Sequence, residues 1–385
     1  MHVVIVGAGY AGLLCAFRLR RRVGDRCQIT VVDRNEAFVE RIRLHQWLAG
    51  DALPAVALEP WLSSAKIQFV QGTLTALDPT QHTLSLGERT LGYDRLVLAL
   101  GSQSASNIPG IETQGYTLER AWALRDELPR LARARGAIAV LGTGLTGIEC
   151  ATELAERYPD LRVSLVSRGG LAPFLSAKSQ RYVRAVCAKL GIHMLTDCAV
   201  HEVTAKGLRT DDSELAFDSV LGCTGFAPPR VIRQSLVATD AQGYVEITDT
   251  LRSRSHADIF AIGDVAGSPP SRHAALQKSC KTAMPMGAYV ADAITSEFTD
   301  HSLGMFSLRD AGVCVSLGRR HAVVQAYRRG AAPEGPVLTG ALAVFVKERI
   351  ARFTLASLHN EARDRLAYRW LREHTPKALA QASYA

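Results

Sequence analysis

One glycine fingerprint occurs twice in this chain of 385 residues, each time after an apolar strand pattern and before a helical one. The first copy, VVIVGAGYAGLLCAFRL, holds Gly7, Gly9 and Gly12; the second, IAVLGTGLTGIECATEL, holds Gly142, Gly144 and Gly147. A constant offset superimposes them through the helix and into the next strand, ITVVD in the first copy and VSLVS in the second. A lone GxGxxG carries little information, but two copies in strand–turn–helix context constrain the fold strongly. The three glycines serve different ends, namely the tight turn, close approach of backbone to a pyrophosphate, and close helix–strand packing. The helix N-terminus then faces the anion. Two dinucleotide sites are expected, one for a resident redox carrier and one for a carrier that exchanges.

The two copies differ at the end of their second strands. Asp33 closes the strand after the first, where a carboxylate can accept hydrogen bonds from an adenosine ribose. At the equivalent place the second copy has Ser167 and Arg168. A hydroxyl and a guanidinium accommodate a 2′-phosphate that a carboxylate would repel, so the second site is expected to favour NADPH. Arg168 as a solvated loop cation, with NADH as coenzyme, is the alternative. Glu149, two residues after Gly147, suits the positive end of a helix whatever its role; it also stands where it could face a nicotinamide and a flavin.

Bulk properties narrow the partners. The formal charge is +8, but the arginines are scattered and no basic run is interleaved with aromatics, so no nucleic-acid partner is expected. The eight cysteines (15, 27, 150, 187, 198, 223, 280 and 314) form no CxxC pair and no metal-ligand spacing. They suit small buried hydrophobes in a reducing compartment, with no metal site. The apolar start lacks a basic n-region, which points to a cytoplasmic protein. No apolar run is long enough to span a bilayer.

Along the chain, strands are expected at 2–6 and at QITVVD, with a helix over 11–22 between them. Helices and loops are expected over 47–62. Residues 66–99 suggest an antiparallel meander returning to a buried parallel strand. Residues 102–115 suggest a crossover, and 118–134 a helix. A strand is expected near 219–229, then strand, turn and helix start over DIFAIGDVAG (258–267), with a long helix over 273–295. Two strands, AGVCVSLG and HAVVQAYR, precede a helical terminus. The second unit is therefore inserted into the first: residues 1–110 and 235–304 form one domain, 111–234 the other, and 305–385 a C-terminal region.

The order GAGYAG, VVD, LVLALGS, LGTGLTGIE, LGCTGFAP, AIGDVA resembles the two-dinucleotide flavoprotein superfamily of pyridine nucleotide-dependent oxidoreductases, over roughly residues 1–330. Within it the chain is similar to type II NADH dehydrogenases, NAD(P)H:quinone oxidoreductases, through RIRLHQWLAG (41–50) and the strands around VSLGRRHAVV. The resemblance implies an α/β fold of two Rossmann-like domains, glutathione-reductase-like, with a small C-terminal β/helical region. It implies FAD at the first site, held by Gly7, Gly9, Gly12, Asp33, Arg43, Gly101, Gly263 and Asp264. NAD(P)H is implied at the second, held by Gly142, Gly144, Gly147, Ser167, Arg168 and Gly225. Hydride would pass from NAD(P)H to FAD, and two electrons from there to a quinone or quinone-like acceptor.

Two departures qualify this. The superfamily's disulfide reductases carry a CxxxxC pair just after the first ribose-binding strand, and residues 34–60 here contain no cysteine. The quinone dehydrogenases carry an AQxAxQ-like motif; RHAALQK (272–278) keeps Gln277 but has His273 for the first glutamine. His273, Gln277 and Glu149 are the catalytic candidates, His273 as a hydrogen-bond or proton donor to a reduced quinone oxygen. A ferredoxin- or rubredoxin-type reductase, a tailoring enzyme acting on a quinonoid, and a flavin redox sensor of low turnover are the alternatives.

The stretch 337–358 mixes Lys347, Arg349 and Arg352 with Phe345, Val346, Ile350 and Phe353. Such a helix can lie on an anionic bilayer, as the corresponding region does in the resembling family. It can equally pack on the first domain or in a homodimer. Glu348, Glu361, Asp364 and Glu373 dilute its basic face.

Overall fold

A computed structural model describes residues 1–105, 107–272, 275–299, 302–328 and 333–373. Strand β1 (His2–Val6) leads through the first glycine turn into α1 (Tyr10–Val23), then β2 (Gln28–Asp33), β3 (Gln68–Gln71) and β4 (Arg95–Leu98). Helix α2 (Ala121–Arg133) opens a second unit, followed by β5 (Ala137–Leu141), α3 (Leu145–Arg157), β6 (Arg162–Val166), α4 (Ala177–Lys189), β7 (His193–Leu195) and β8 (Ser219–Gly222). The chain returns with β9 (Ile259–Ala261) and α5 (Cys280–Ser296). Strands β10 (Gly312–Leu317), β11 (His321–Ala326) and β12 (Val337–Thr339) then precede α6 (Gly340–Ala362).

The first sheet is parallel, in the order β9–β4–β1–β2–β3. The second is parallel in the order β7–β6–β5–β8. Both place a glycine turn at the end of the strand where the order reverses, the position at which open α/β sheets bind ligands. Val3–Val6 and Ala137–Leu141 are buried throughout, as continuous apolar runs must be when both faces of a sheet are covered. Helix α1 is sandwiched as well: Tyr10 to Leu19 are all buried. It crosses α5 at Gly287, where a Cβ would lie 2.3 Å from the Ala11 carbonyl oxygen. A short antiparallel pair, Gln103–Ser104 with Phe226–Ala227, ties the two crossings between units together.

Three expectations are corrected. Gln68–Gln71 is not part of the meander but the parallel edge strand β3 beside β2; the meander is confined to Ala76–Gly92. Four residues with one buried side chain, Val70, fit either environment, and only the preceding helix Leu58–Ser64 makes the parallel crossover. The helix expected over 273–295 begins at Cys280. The extended backbone of Ser279 (φ −170°) sets the start of the helix, so Gln277 lies on the approach and not on the helix. His273 falls outside the described residues. Finally, the terminal region adds a third strand, β12, on the β10–β11 hairpin.

Helix α6 lies across both units, against α1 and β11. Two charges expected on its solvent face point inward instead. Lys347 reaches Glu149 and the Ser316 hydroxyl, and Glu348 makes a bidentate pair with Arg43 (2.8 and 3.0 Å). Glu361 is 1% exposed, held by Arg18 (3.3 Å) and Arg21 (3.0 Å) of α1. The outward stripe, Leu342, Phe345, Arg349, Ile350, Arg352 and Phe353, is therefore apolar and basic, with the part-exposed Glu348 pairing Arg352 at 2.8 Å.

Candidate active site

The two glycine turns are built alike atom for atom. A Cβ on Gly7 would stand 2.2 Å from the Ala99 carbonyl oxygen, and one on Gly142 would stand 2.4 Å from that of Cys223. Both glycines have φ above +110°, closed to residues with a side chain. A Cβ on Gly12 would meet the Gly7 oxygen at 1.9 Å, and one on Gly147 the Gly142 oxygen at 1.9 Å. At Gly9 and Gly144, by contrast, nothing lies within 4 Å. The middle glycine of each copy thus opens onto free space at a helix N-terminus that carries no side-chain cap. Unclaimed N–H groups and the positive helix end fit a pyrophosphate in both places.

On the first side, Asp33 accepts the Ala8 N–H (2.7 Å) and the Asn35 N–H (2.8 Å), which locks the carboxylate beside the turn. Oδ1 also accepts from the Asn35 side-chain amide (3.0 Å), so Oδ2 is the oxygen that keeps a lone pair for a ribose hydroxyl. Asp264, in the turn after β9, accepts the Ser102 hydroxyl at 2.9 Å; Gly101 and Gly263 flank it at φ 68° and 70°. Arg43 is committed to protein partners: Glu40 (3.0 Å), Gln46 (3.0 Å) and Glu348. It holds the 41–50 segment against α6.

On the second side, the Ser167 hydroxyl donates to the Gly169 carbonyl and the Thr143 hydroxyl to Gly170 (2.9 Å), fastening the 167–170 loop to the glycine turn. Arg168 is exposed on that loop and has no ion-pair partner among the described residues. Gly225, at φ 154°, accepts the Ala105 N–H (3.0 Å) where the chain crosses between units.

Glu149 stands on the second turn of α3, past the first turn at the positive helix end, and is buried. Its carboxylate accepts from the Ser316 N–H (2.9 Å) and from the Lys347 ammonium, and the His45 Nδ1 lies 3.7 Å away. Burial opposes its charge, but Lys347, His45 and the Ser316 N–H together hold its pKa below the usual carboxylate range. Gln277 Nε2 donates to the Tyr327 hydroxyl at 3.4 Å. Beside them Lys281 pairs with Asp310 (2.7 Å) and lies over the Tyr327 ring at 5.2 Å. Among the described residues no group of His, Cys, Asp and Glu side chains is placed to hold a metal ion.

Sequence patterns missed Lys347, Ser316, Ser102, Tyr327 and His45. Each reaches its partner from an element remote in the chain, so no periodicity signals it. The LHQWL segment offered a hint, a histidine and a glutamine between apolar residues of one helical turn.

The chain matches the profile of the family described as "Pyridine nucleotide-disulphide oxidoreductase" over residues 1–279. It is 30% identical to an NADH dehydrogenase-like protein of Mycobacterium tuberculosis, over 78% of this chain and 82% of that one. It is 26% identical to the type II NADH:quinone oxidoreductase of Staphylococcus haemolyticus, over 90% and 93%. Among solved structures, the sulfide:quinone oxidoreductase of Aquifex aeolicus superimposes with a TM-score of 0.79 at 19% identity, covering 94% of this chain and 92% of that one. The twin cradles and the extent of these matches lead to one conclusion: this chain belongs to the pyridine nucleotide-disulphide oxidoreductase family.

Proposed function

We propose that the protein is an FAD-dependent NAD(P)H:quinone oxidoreductase. The observation that carries this is the pair of open glycine cradles in one chain, joined to a flavin-side segment without cysteine. The first cradle suits a resident dinucleotide and the second an exchanging one. With no redox thiol pair after β2, the acceptor must be one that needs no protein disulfide, and relatives named for quinones fit that requirement. FAD supplies the electron relay between two substrates when bound. Gly7 to Gly12 hold its pyrophosphate, Asp33 accepts its ribose hydroxyls, and Asp264 accepts from the ribityl side. Gly142 to Gly147 do the same for the nicotinamide coenzyme. Gln277 and Tyr327 offer neutral donors to an acceptor carbonyl, with His273 next in the chain to that segment.

Stopped-flow mixing tests the reading: the yellow protein should bleach with NADPH or NADH and be reoxidised by a soluble quinone. Bleaching followed by reoxidation with ferredoxin alone would transfer the assignment to the electron-transfer reductases. Exposed and unpaired Arg168 supports NADPH as the preferred coenzyme. Arg168→Glu should move the NADPH/NADH preference roughly 10- to 100-fold towards NADH, the worth of one charge-assisted contact. Unchanged bleaching rates would discard the phosphate site.

The outward stripe of α6 supports a peripheral contact with an anionic membrane at its cytoplasmic face, where a lipophilic quinone would be met. Among the described residues no helix is long and apolar enough to cross a membrane. Flotation with phosphatidylglycerol-containing vesicles should carry the protein, and Phe345→Ser with Phe353→Ser should weaken binding at least 10-fold, because each buried phenylalanine contributes about 1.5–3 kcal/mol. Failure to float together with a dimeric mass in solution would assign the stripe to a homodimer.

A further inference from the structure

Two of the eight cysteines meet behind the second glycine turn. Cys150 lies on the second turn of α3, three residues after Gly147, and is fully buried in the core of the second unit. Cys223 directly follows β8; it packs against the same core but is part-exposed. Their side chains are hydrogen-bonded to each other. The backbone explains the meeting. The Cys223 N–H donates to the Leu141 carbonyl at 2.8 Å, which pins the residue beside the turn. A Cβ on Gly147 would stand 3.5 Å from the Cys223 Cβ, and Cys150, three positions on, shares that face of α3.

The first cradle supplies an internal control. At the equivalent points it has Cys15, three residues after Gly12, and Ala99, whose Cβ would lie 3.3 Å from a Cβ on Gly12. The geometry is the same, but the second thiol is missing. Packing alone therefore does not call for sulfur at both places. Two thiols side by side add a bond that can be made and unmade. The hydrogen bond to Cys223, with burial and the nearby Glu149 and Glu153 carboxylates, pushes the Cys150 thiol well above its ordinary range. Cys150 thus stays protonated and sealed from solvent, and Cys223 is the sulfur that a small oxidant reaches first.

We propose that hydrogen peroxide joins Cys150 to Cys223 in a reversible disulfide, and that this bond weakens coenzyme binding at the second cradle. The second half rests on the reading of that cradle as the NAD(P)H site. The Cys223 thiolate attacks one peroxide oxygen and the O–O bond breaks. The departing hydroxide takes the proton that Cys223 shed, leaving a sulfenic acid and one water. The Cys150 sulfur then attacks the Cys223 sulfur, the S–O bond breaks, and the Cys150 proton leaves with that hydroxide as a second water. Both thiols are oxidised and the peroxide is reduced: 2 R–SH + H₂O₂ → R–S–S–R + 2 H₂O.

An S–S bond is about 2.05 Å long, far shorter than a contact between two thiols. Its closure pulls the second turn of α3 towards the end of β8, and the glycine turn between them has no slack. A Cβ on Gly142 would already stand 2.4 Å from the Cys223 carbonyl oxygen, and one on Gly147 would stand 1.9 Å from that of Gly142. Turn and helix must shift together, which misaligns the helix N-terminus with the pyrophosphate it faces. The first cradle, with a single thiol, is spared. In a reducing compartment such a bond persists while peroxide outruns the thiol reductants and is then undone.

The test treats the holoenzyme with a small excess of hydrogen peroxide and then desalts it. Mass spectrometry of a non-reducing digest should find the peptides of Cys150 and Cys223 joined, with the loss of two hydrogens. The oxidised protein should stay yellow. The NAD(P)H concentration that gives half-maximal bleaching should rise roughly 10- to 100-fold, the worth of one or two lost charge-assisted hydrogen bonds, and dithiothreitol should restore it. Cys150→Ala and Cys223→Ser should each abolish the peroxide response. Treated protein without the joined peptide overturns the proposal. So does a joined peptide that leaves the half-maximal concentration unchanged, or a peroxide response that persists in both variants. A reduced parent that neither coenzyme bleaches defeats the coenzyme reading on its own, and the joined peptide then decides whether the two thiols close.

Discussion

Gly147→Ala protein is expected to purify yellow and yet resist bleaching by NADPH and NADH, whereas Gly12→Ala protein is expected to lose its flavin. The two substitutions are the same methyl group placed at equivalent points of the duplicated turn. In each case it would stand 1.9 Å from a carbonyl oxygen, that of Gly142 or of Gly7. Neither oxygen can move aside cheaply. The Gly142 N–H donates to Val166 at 2.8 Å and the Gly7 N–H to Val32 at 2.7 Å, which ties both turns to their sheets. The helix must therefore slide, which carries its N-terminus away from the pyrophosphate. Overpacking of this kind costs about 1–3 kcal/mol, a loss of roughly 10- to 100-fold in nucleotide affinity if it falls on the turn. Flavin absorbance after desalting reads the first site, and stopped-flow bleaching reads the second. Should Gly147→Ala shed its flavin while Gly12→Ala retains it, the assignment of the two sites is reversed.

The second large effect concerns stability. Glu361→Ala should destabilise the fold by about 3 kcal/mol, because it removes the buried carboxylate that Arg18 and Arg21 share and leaves Arg21 only the exposed Asp364 at 3.5 Å. Arg18 keeps Asp292 at 2.6 Å and the Tyr368 carbonyl at 2.8 Å, but Glu361 also accepts the Tyr368 N–H at 2.7 Å. One side chain thus fastens the end of α6 and the segment after it to α1. Urea unfolding followed by far-UV circular dichroism, with its midpoint compared at unchanged slope, measures the loss. Glu361→Gln, which preserves hydrogen bonding and removes charge, should fall between parent and alanine variant. An alanine variant with the parent's midpoint would show that the terminal helix is held by apolar contact alone. Because α6 also brings in Lys347, loosening it should disturb Glu149 and raise that carboxylate's pKa towards the ordinary range.

Much of the candidate site could be read from residues alone. The roles of Gly7, Gly9 and Gly12, and of their counterparts, depend on backbone geometry within six positions, so local spacing is enough. Asp33 and the Ser167–Arg168 pair follow from the length of one helix and one strand. Strand β3 and the delayed start of α5 were not legible. Four residues with a single buried side chain do not declare whether their neighbour is parallel or antiparallel. The approach to α5 reads as helix from its residues, and the extended Ser279 that postpones the helix shows only in the fold.

The charged residues of α6 show the limit most clearly. A helix that carries Lys347, Glu348, Arg349, Arg352 and Glu361 displays charge on every side when drawn as a wheel. Spacing alone assigns all of them to solvent. Packing against α1, β10 and the 41–50 segment turns Lys347, Glu348 and Glu361 inward and leaves arginines and phenylalanines outside.

The duplicated cradle and the parallel sheets behind it were thus determined by the order of residues, since turn geometry and apolar runs act over a few neighbours. The meeting of His45, Glu149 and Lys347 was settled by tertiary packing. Those three come from elements widely separated in the chain, and the energy of a buried charge depends on what lies within a few ångströms in space, a quantity that sequence distance does not encode.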